Sequence, residues 1–164
     1  ELIDIEIIEG DETVPQKVKK GVESTKGNLI LYAANDLEFM PDDIIKAVLC
    51  HIKTNKALIS FNTGVRNSEG YICEHFLISR EFVENCLPRG EVFDTDFHHV
   101  GVDDLLWKRT DKQGQAIIAE NTRTIHHHFS RIGSDNIKDE VIEKGWKNAE
   151  EDRKLLEKKL KELL

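Results

Sequence analysis

Asp36 and Glu38 stand two residues apart where the apolar run Asn28–Ala34 gives way to NDLEFMPDD. In extended chain, residues i and i+2 project to the same side, so both carboxylates can face one cation. Hard oxygen ligands of this kind suit Mg²⁺ or Mn²⁺, which can bridge to phosphate oxygens. The same acids have a plainer use as negative charge ahead of the helix that Pro41 opens. Five of the seven histidines fall in two groups, His98-His99 and His126-His127-His128. A neutral imidazole in either group could ligate a metal, whereas scattered histidines are ordinarily structural or exposed. Strand alternation would send His126 and His128 to one face and His127 to the other. Asp103-Asp104 opens a helix after FHHVGV. A carboxylate there is ordinarily a cap, but one turned into a cleft could act as a general base toward an acceptor hydroxyl.

The elements that must position these groups follow from apolar periodicity. Leu2–Ile8 and Asn28–Ala34 are expected as strands, the second covered on both faces because its apolar run is nearly unbroken. Val14, Val18 and Val22 are four apart, which predicts a helix over Val14–Glu23 with Pro15 in its first turn. A second helix is expected over Asp42–Thr54, with Ile44, Ile45, Val48, Leu49 and Ile52 on one face. Strands are expected at Ala57–Phe61, Cys73–Ile78, Gln115–Glu120 and Arg123–His127. Ser79 is placed to cap a short helix ending before Pro88, and Asp103 or Asp104 to cap one through Lys112. From about residue 137 to 164 the pattern is helical and highly charged. Alternating strands and helices predict an α/β fold with a mixed, mainly parallel sheet flanked by helices. The carboxyl ends of such strands share the rim where ligands bind.

Composition narrows the partners. A chain of 164 residues with 39% hydrophobic and 33% charged residues can build one proper core. A net charge of −8 argues against general nucleic-acid binding, which needs clustered Lys and Arg. No apolar run reaches the roughly 18–20 residues of a membrane span. Three cysteines, Cys50, Cys73 and Cys86, without CxxC spacing, fit a reducing, cytoplasmic setting.

Taken in order, KGVESTKGNLILYAANDLEFMPDDI, GEVFDTDFHHVGVDDLLWKR and Gly114–Ser130 resemble the family 2 glycosyltransferases of the GT-A fold, especially the rhamnosyltransferase-like members. The first run resembles the family's helix, Gly, strand and "N-x-D" or "D-x-D" segment before a Pro-initiated helix. The second resembles the "FDE-x-F … ED-x-D-L … R" segment, and the third the strands leading to a closing His. The resemblance implies a Rossmann-type GT-A sheet, a nucleotide-sugar donor and a glycan, lipid or protein acceptor. It implies a Mn²⁺ or Mg²⁺ ion held by Asp36, Glu38 and His126, with Asp103 as the acceptor-activating base. Asn35, Asp104 and His128 would line the substrates, His128 also standing near the position of the closing His. Glu38 in place of a second Asp, and Val102 in place of the Glu of "ED", depart from the pattern.

Family members begin with nucleoside-binding strands that have no counterpart here, so the transferase domain, residues 1–136, is expected to be N-terminally incomplete. Residues 137–164 are expected as a helical extension packing on the domain or forming a homodimer. The competing expectation is a non-catalytic carbohydrate- or nucleotide-binding domain. A nucleotidyltransferase-like enzyme would need a basic Gly-rich loop that the chain does not show.

Overall fold

In a computed structural model of the chain, residues 6–64, 66–67, 70–71, 73–127 and 147–163 are described. Helix α1 (Val14–Ser24) starts with a reciprocal cap: Thr13 Oγ1 accepts the Gln16 amide, and Gln16 Oε1 accepts the Thr13 amide. Strand β1 (Leu29–Tyr32) follows, then the two-residue strand β2 (Leu37–Glu38) and helix α2 (Asp43–Thr54). Helix α2 ends at Asn55, whose φ of 54° is the left-handed turn that Asn tolerates better than most residues. Strand β3 (Leu58–Phe61), the short β4 (Arg66–Asn67) and β5 (Gly70–Tyr71), and β6 (Phe76–Ser79) come next. Ser79 caps α3 (Arg80–Cys86) by accepting the Phe82 amide. The remainder is α4 (Val102–Lys112), β7 (Ala116–Ala119), β8 (Ile125–His126) and α5 (Ala149–Leu163).

The main sheet has the order β1-β6-β3-β7. It is mixed, as expected, but not mainly parallel: β6 pairs antiparallel with both β1 and β3, and only β3–β7 is a parallel pairing. The physical reason lies in the connections. Between β3 and β6 the described chain shows no helix, only the β4–β5 pairing, and a return without a crossover leaves β6 antiparallel. The β3-to-β7 connection contains α3 and α4 and restores the parallel direction. Three strands therefore still run the same way, with β6 inserted against them.

One sheet face, with Leu58, Phe76 and Ile78, packs under Val83, Phe93, Phe97, Leu105 and Leu106. The other, with Ile59, Phe61, Leu77 and Ala119, packs under Ala47 and Val48 of α2. Burial from both sides explains the unbroken apolar run of β3. The five-residue apolar face expected of α2 divides: Val48 meets the sheet beside the small Ala47, while Ile44, Ile45, Leu49 and Ile52 are exposed. Strand β1, expected to be covered on both faces, is instead an edge strand whose Leu31 is exposed.

Three further expectations change. Residues 6–9 carry no regular structure, and the rest of the expected Leu2–Ile8 strand lies outside the described residues. Neither Asp103 nor Asp104 caps α4. The cap position belongs to Gly101, whose φ of 80° turns the chain into the helix and leaves both acids inside its first turn. The Arg123–His127 strand shortens to β8, which pairs with β2 rather than joining the main sheet. Helix α5 packs against α4 and turns Leu155, Leu156, Leu160 and Leu163 toward the core. Among the described residues no helix is long and apolar enough to cross a membrane.

Candidate functional site

Because β6 opposes β1, β3 and β7, its amino end lies at the same rim as their carboxyl ends. That rim gathers Asn35 to Glu38 after β1, Thr63 after β3, Glu74 and His75 before β6, and Thr122 to His127 after β7. The β2–β8 ribbon, Leu37 opposite His126 and Glu38 opposite Ile125, brings the acidic segment to the histidines. The His127 amide donates to the Asp36 carbonyl at 2.8 Å and extends the ribbon.

His126 sits between two carboxylates. Its Nε2 lies 3.2 Å from Asp36 Oδ2 and its Nδ1 3.1 Å from Glu74 Oε2. The imidazole is only 9% exposed, its ring edge-on to that of His75 at 4.7 Å between centroids. The Thr63 hydroxyl donates to Glu74 Oε2 at 3.3 Å. With a carboxylate at each ring nitrogen, a protonated imidazole donates to both; with its single proton on Nδ1, toward Glu74, Nε2 would instead present a lone pair to a metal, as carboxylates behind metal-binding histidines arrange them.

Two ligands at right angles on one cation, each about 2.1 Å from it, stand about 3 Å apart, so the Asp36–His126 separation fits a shared ion. Asp36 Oδ1 is buried and has no hydrogen-bond partner among the described residues, as a carboxylate awaiting a cation would. Glu38 does not join them. It is 56% exposed and its Oε2 lies 3.0 Å from His127 Nε2. Among the described residues no group of three His, Cys, Asp or Glu side chains is disposed to hold a metal.

Asp43 is the residue at this rim whose role the sequence hid. Fully buried in the first turn of α2, it accepts the Met40 and Arg123 amides at 3.1 Å each and the Thr124 hydroxyl at 2.9 Å. It thereby fastens the segment leaving β2 to the segment entering β8. An Asp behind Pro41 looks like a helix cap, but Asp43 is the first helical residue and accepts the Met40 amide outside the helix. Its hold on Arg123 and Thr124, 80 and 81 residues away, has no local signature. Glu74 is likewise unannounced, being a lone acid between Cys73 and His75.

Asp103 occupies the first turn of α4, half-buried. Burial pushes its carboxyl up to about 7, and the negative charges of Asp104 and Glu74 push in the same direction, against local backbone hydrogen bonds. The Tyr32 phenol, raised by burial, also feels both Asp103 and Asp36. Two acids from distant parts of the chain thus act on one ring. Asp104 is half-buried beside Asp103, and Asn35 is exposed beside Asp36. His128 lies outside the described residues.

Behind α4, Asp94 receives Arg89 Nη2 at 2.6 Å, Arg109 Nη2 at 3.2 Å and Lys159 Nζ at 2.6 Å. Burial works against this carboxylate, but Lys159, the Asp96 amide and Arg109 hold it below its ordinary range. A groove of about 300 Å³ between Leu87, Pro88, Arg109 and Leu163 lies at the far end of α4 and contains none of the rim acids. The three thiols, Cys50, Cys73 and Cys86, are free.

No family model, curated protein or solved structure matches the chain.

Proposed function

We propose that the chain is a metal-dependent, inverting glycosyltransferase domain with a GT-A-like sheet, acting on a nucleotide-diphosphate sugar in the cytoplasm. The carrying observation is the convergence at one rim of the Asp36–His126 pair, backed by Glu74, with a carboxyl at Asp103 whose proton affinity suits acid–base work near neutral pH. The strands that share a direction and the free thiols support the fold and the compartment of this proposal.

In this scheme Asp36 and His126 would hold a Mn²⁺ or Mg²⁺ ion. When bound, the ion neutralises negative charge on the departing nucleoside diphosphate. Asp103 accepts the proton of the acceptor hydroxyl as that oxygen bonds to the anomeric carbon. The bond from that carbon to the diphosphate oxygen breaks, its electron pair leaving with the diphosphate. Asp104 and Glu74 help by raising the basicity of Asp103. In this reading Asn35 and Asp104 are assigned to the substrate hydroxyls. Glu38 falls outside the ion's shell and serves the ribbon through His127.

The departure of Glu38 from the pair favours a second reading, a binding domain that recognises sugar or nucleotide without turnover. Calorimetric titration of UDP and GDP, with and without Mn²⁺, separates the possibilities. Transfer chemistry requires Mn²⁺-dependent binding that is lost in Asp36→Ala, and turnover that is lost in Asp103→Asn while binding persists. Cation-independent binding indifferent to both substitutions would leave only the binding domain standing.

A further inference from the structure

Helix α5 touches the loop before α4 with one face. Asp152, Leu156 and Lys159 recur at the i, i+4, i+7 spacing that stacks side chains along a helix. Asp152, whose side chain is 1% exposed, accepts three successive backbone N–H groups: His98 at 2.9 Å, His99 at 2.8 Å and Val100 at 2.8 Å. One turn on, Leu156 covers Gly101 so closely that a Cβ there would lie 2.8 Å from its Cδ2. Another turn on, Lys159 reaches Asp94 at 2.6 Å and Asp96 at 2.7 Å. Three side chains of one helix thus hold both ends of the 94–101 segment, and Asp103 is the second residue beyond it.

We propose that α5 is a positioning element for the Asp103 site, with Asp152 as the positioning residue: by gripping the amides of residues 98–100 it sets the start of α4 and the direction in which Asp103 leaves it. The proposal rests on the assignment of Asp103 as the base. Three N–H donors on a buried carboxylate are charge-assisted and fix an irregular loop that has no ladder of its own. The Val14 amide adds a bond to the His98 carbonyl at 3.1 Å. The N-terminal helix and the C-terminal helix therefore meet on the same loop, and only α5 reaches its amides through a side chain. Asp103 lies within electrostatic reach of Asp104 on its own helix, Glu74 before β6, Cys73, and Tyr32 on β1. A small rotation of the first turn would alter all of these distances and admit water.

The test is made on the full chain. Asp152→Asn keeps the shape and removes the charge. Hydrogen exchange at residues 98–100 reads the grip itself, and ¹³C NMR titration of the Asp103 carboxyl reads its consequence. Exchange should quicken by at least about tenfold, and the Asp103 titration should move down by about one pH unit or more as water enters, in a protein that remains folded. Should Asp152→Asn fail to fold, Asp152→Glu, which retains the charge but displaces it by a methylene, is read in the same way. Faster exchange with an unmoved Asp103 titration, or unchanged exchange, overturns the proposal. Asp103→Asn separates this from the base assignment: the grip on residues 98–100 should persist in that variant, whereas retained turnover would remove the base while leaving the grip.

Discussion

Asp36 and His126, ninety residues apart in sequence, meet at 3.2 Å because a two-residue strand after β1 pairs with a two-residue strand after β7. Glu74 closes the line from the other side of the imidazole at 3.1 Å. The rim chemistry depends on this row of three side chains, each supplied by a different strand connection.

Cation affinity should therefore follow Glu74 more closely than Glu38. Glu74→Gln removes the carboxylate that keeps the Nδ1 proton in place, and Mn²⁺ affinity should fall by roughly 10- to 100-fold. Glu38→Ala should change it by less than about threefold, since Glu38 faces His127. Mn²⁺ titration followed by electron paramagnetic resonance measures both. A larger loss for Glu38→Ala would restore the trio expected from the sequence.

Asp103 makes stability depend on pH. Its carboxyl holds a proton to about 7 in the fold, against an ordinary 3.8. Between those values the folded state binds a proton that the unfolded chain has released, so its contribution is full below pH 3.8 and is lost as pH rises through 7. Asp103→Asn, which cannot ionise, should be more stable than the native chain at pH 8 by on the order of 1–3 kcal/mol and no different near pH 3.5. Urea unfolding at the two pH values decides it, and an equal difference at both would mean that Asp103 ionises as an ordinary carboxyl.

Removing the Asp43 side chain should cost about 3 kcal/mol, because it strands buried donors on Arg123 and Thr124 and loosens the start of α2. Asp43→Asn should cost less, since one amide oxygen can still accept. The two variants differ in chemical denaturation, and His126 resonances should shift in both if the segment entering β8 depends on this anchor.

Gly101→Ala should destabilise by about 1–3 kcal/mol, combining an unfavourable positive φ with a methyl pressed on Leu156. Adding Leu156→Ala would relieve the clash but not the backbone strain. Partial recovery of the melting temperature in the double variant is the expected result; complete recovery would assign the whole effect to packing.

Much of the framework was legible from local chemistry. Periodicity placed α1, α2, α3, β1 and β3, since each helix or strand shows its repeat and its cap within a few residues: the Thr13–Gln16 box, Ser79 before α3, and the unbroken LISF of β3. The general form of the rim was also legible, because acids placed just after an apolar strand must emerge at its carboxyl end. Sheet direction was not. The insertion of β6 depends on a connection without a helix, which apolar periodicity does not reveal, and it converts an expected parallel neighbour into an antiparallel one.

The residues alone determined which chemistry was available: carboxylates at Asp36 and Asp103 and an imidazole at His126. Only the tertiary structure decided which of them meet. It drew Asp36 and Glu74 to His126, turned Glu38 aside to His127, and recruited Asp43 and Asp152 as anchors of distant loops. The physical reason is that a helix or strand reports its own repeat within one or two turns. A carboxylate's partner is chosen by chain crossings dozens of residues away, and so is whether its charge is screened, shared or buried. The same reason governs Asp103: burial and the charges around it, more than residue type, raise its proton affinity to about 7.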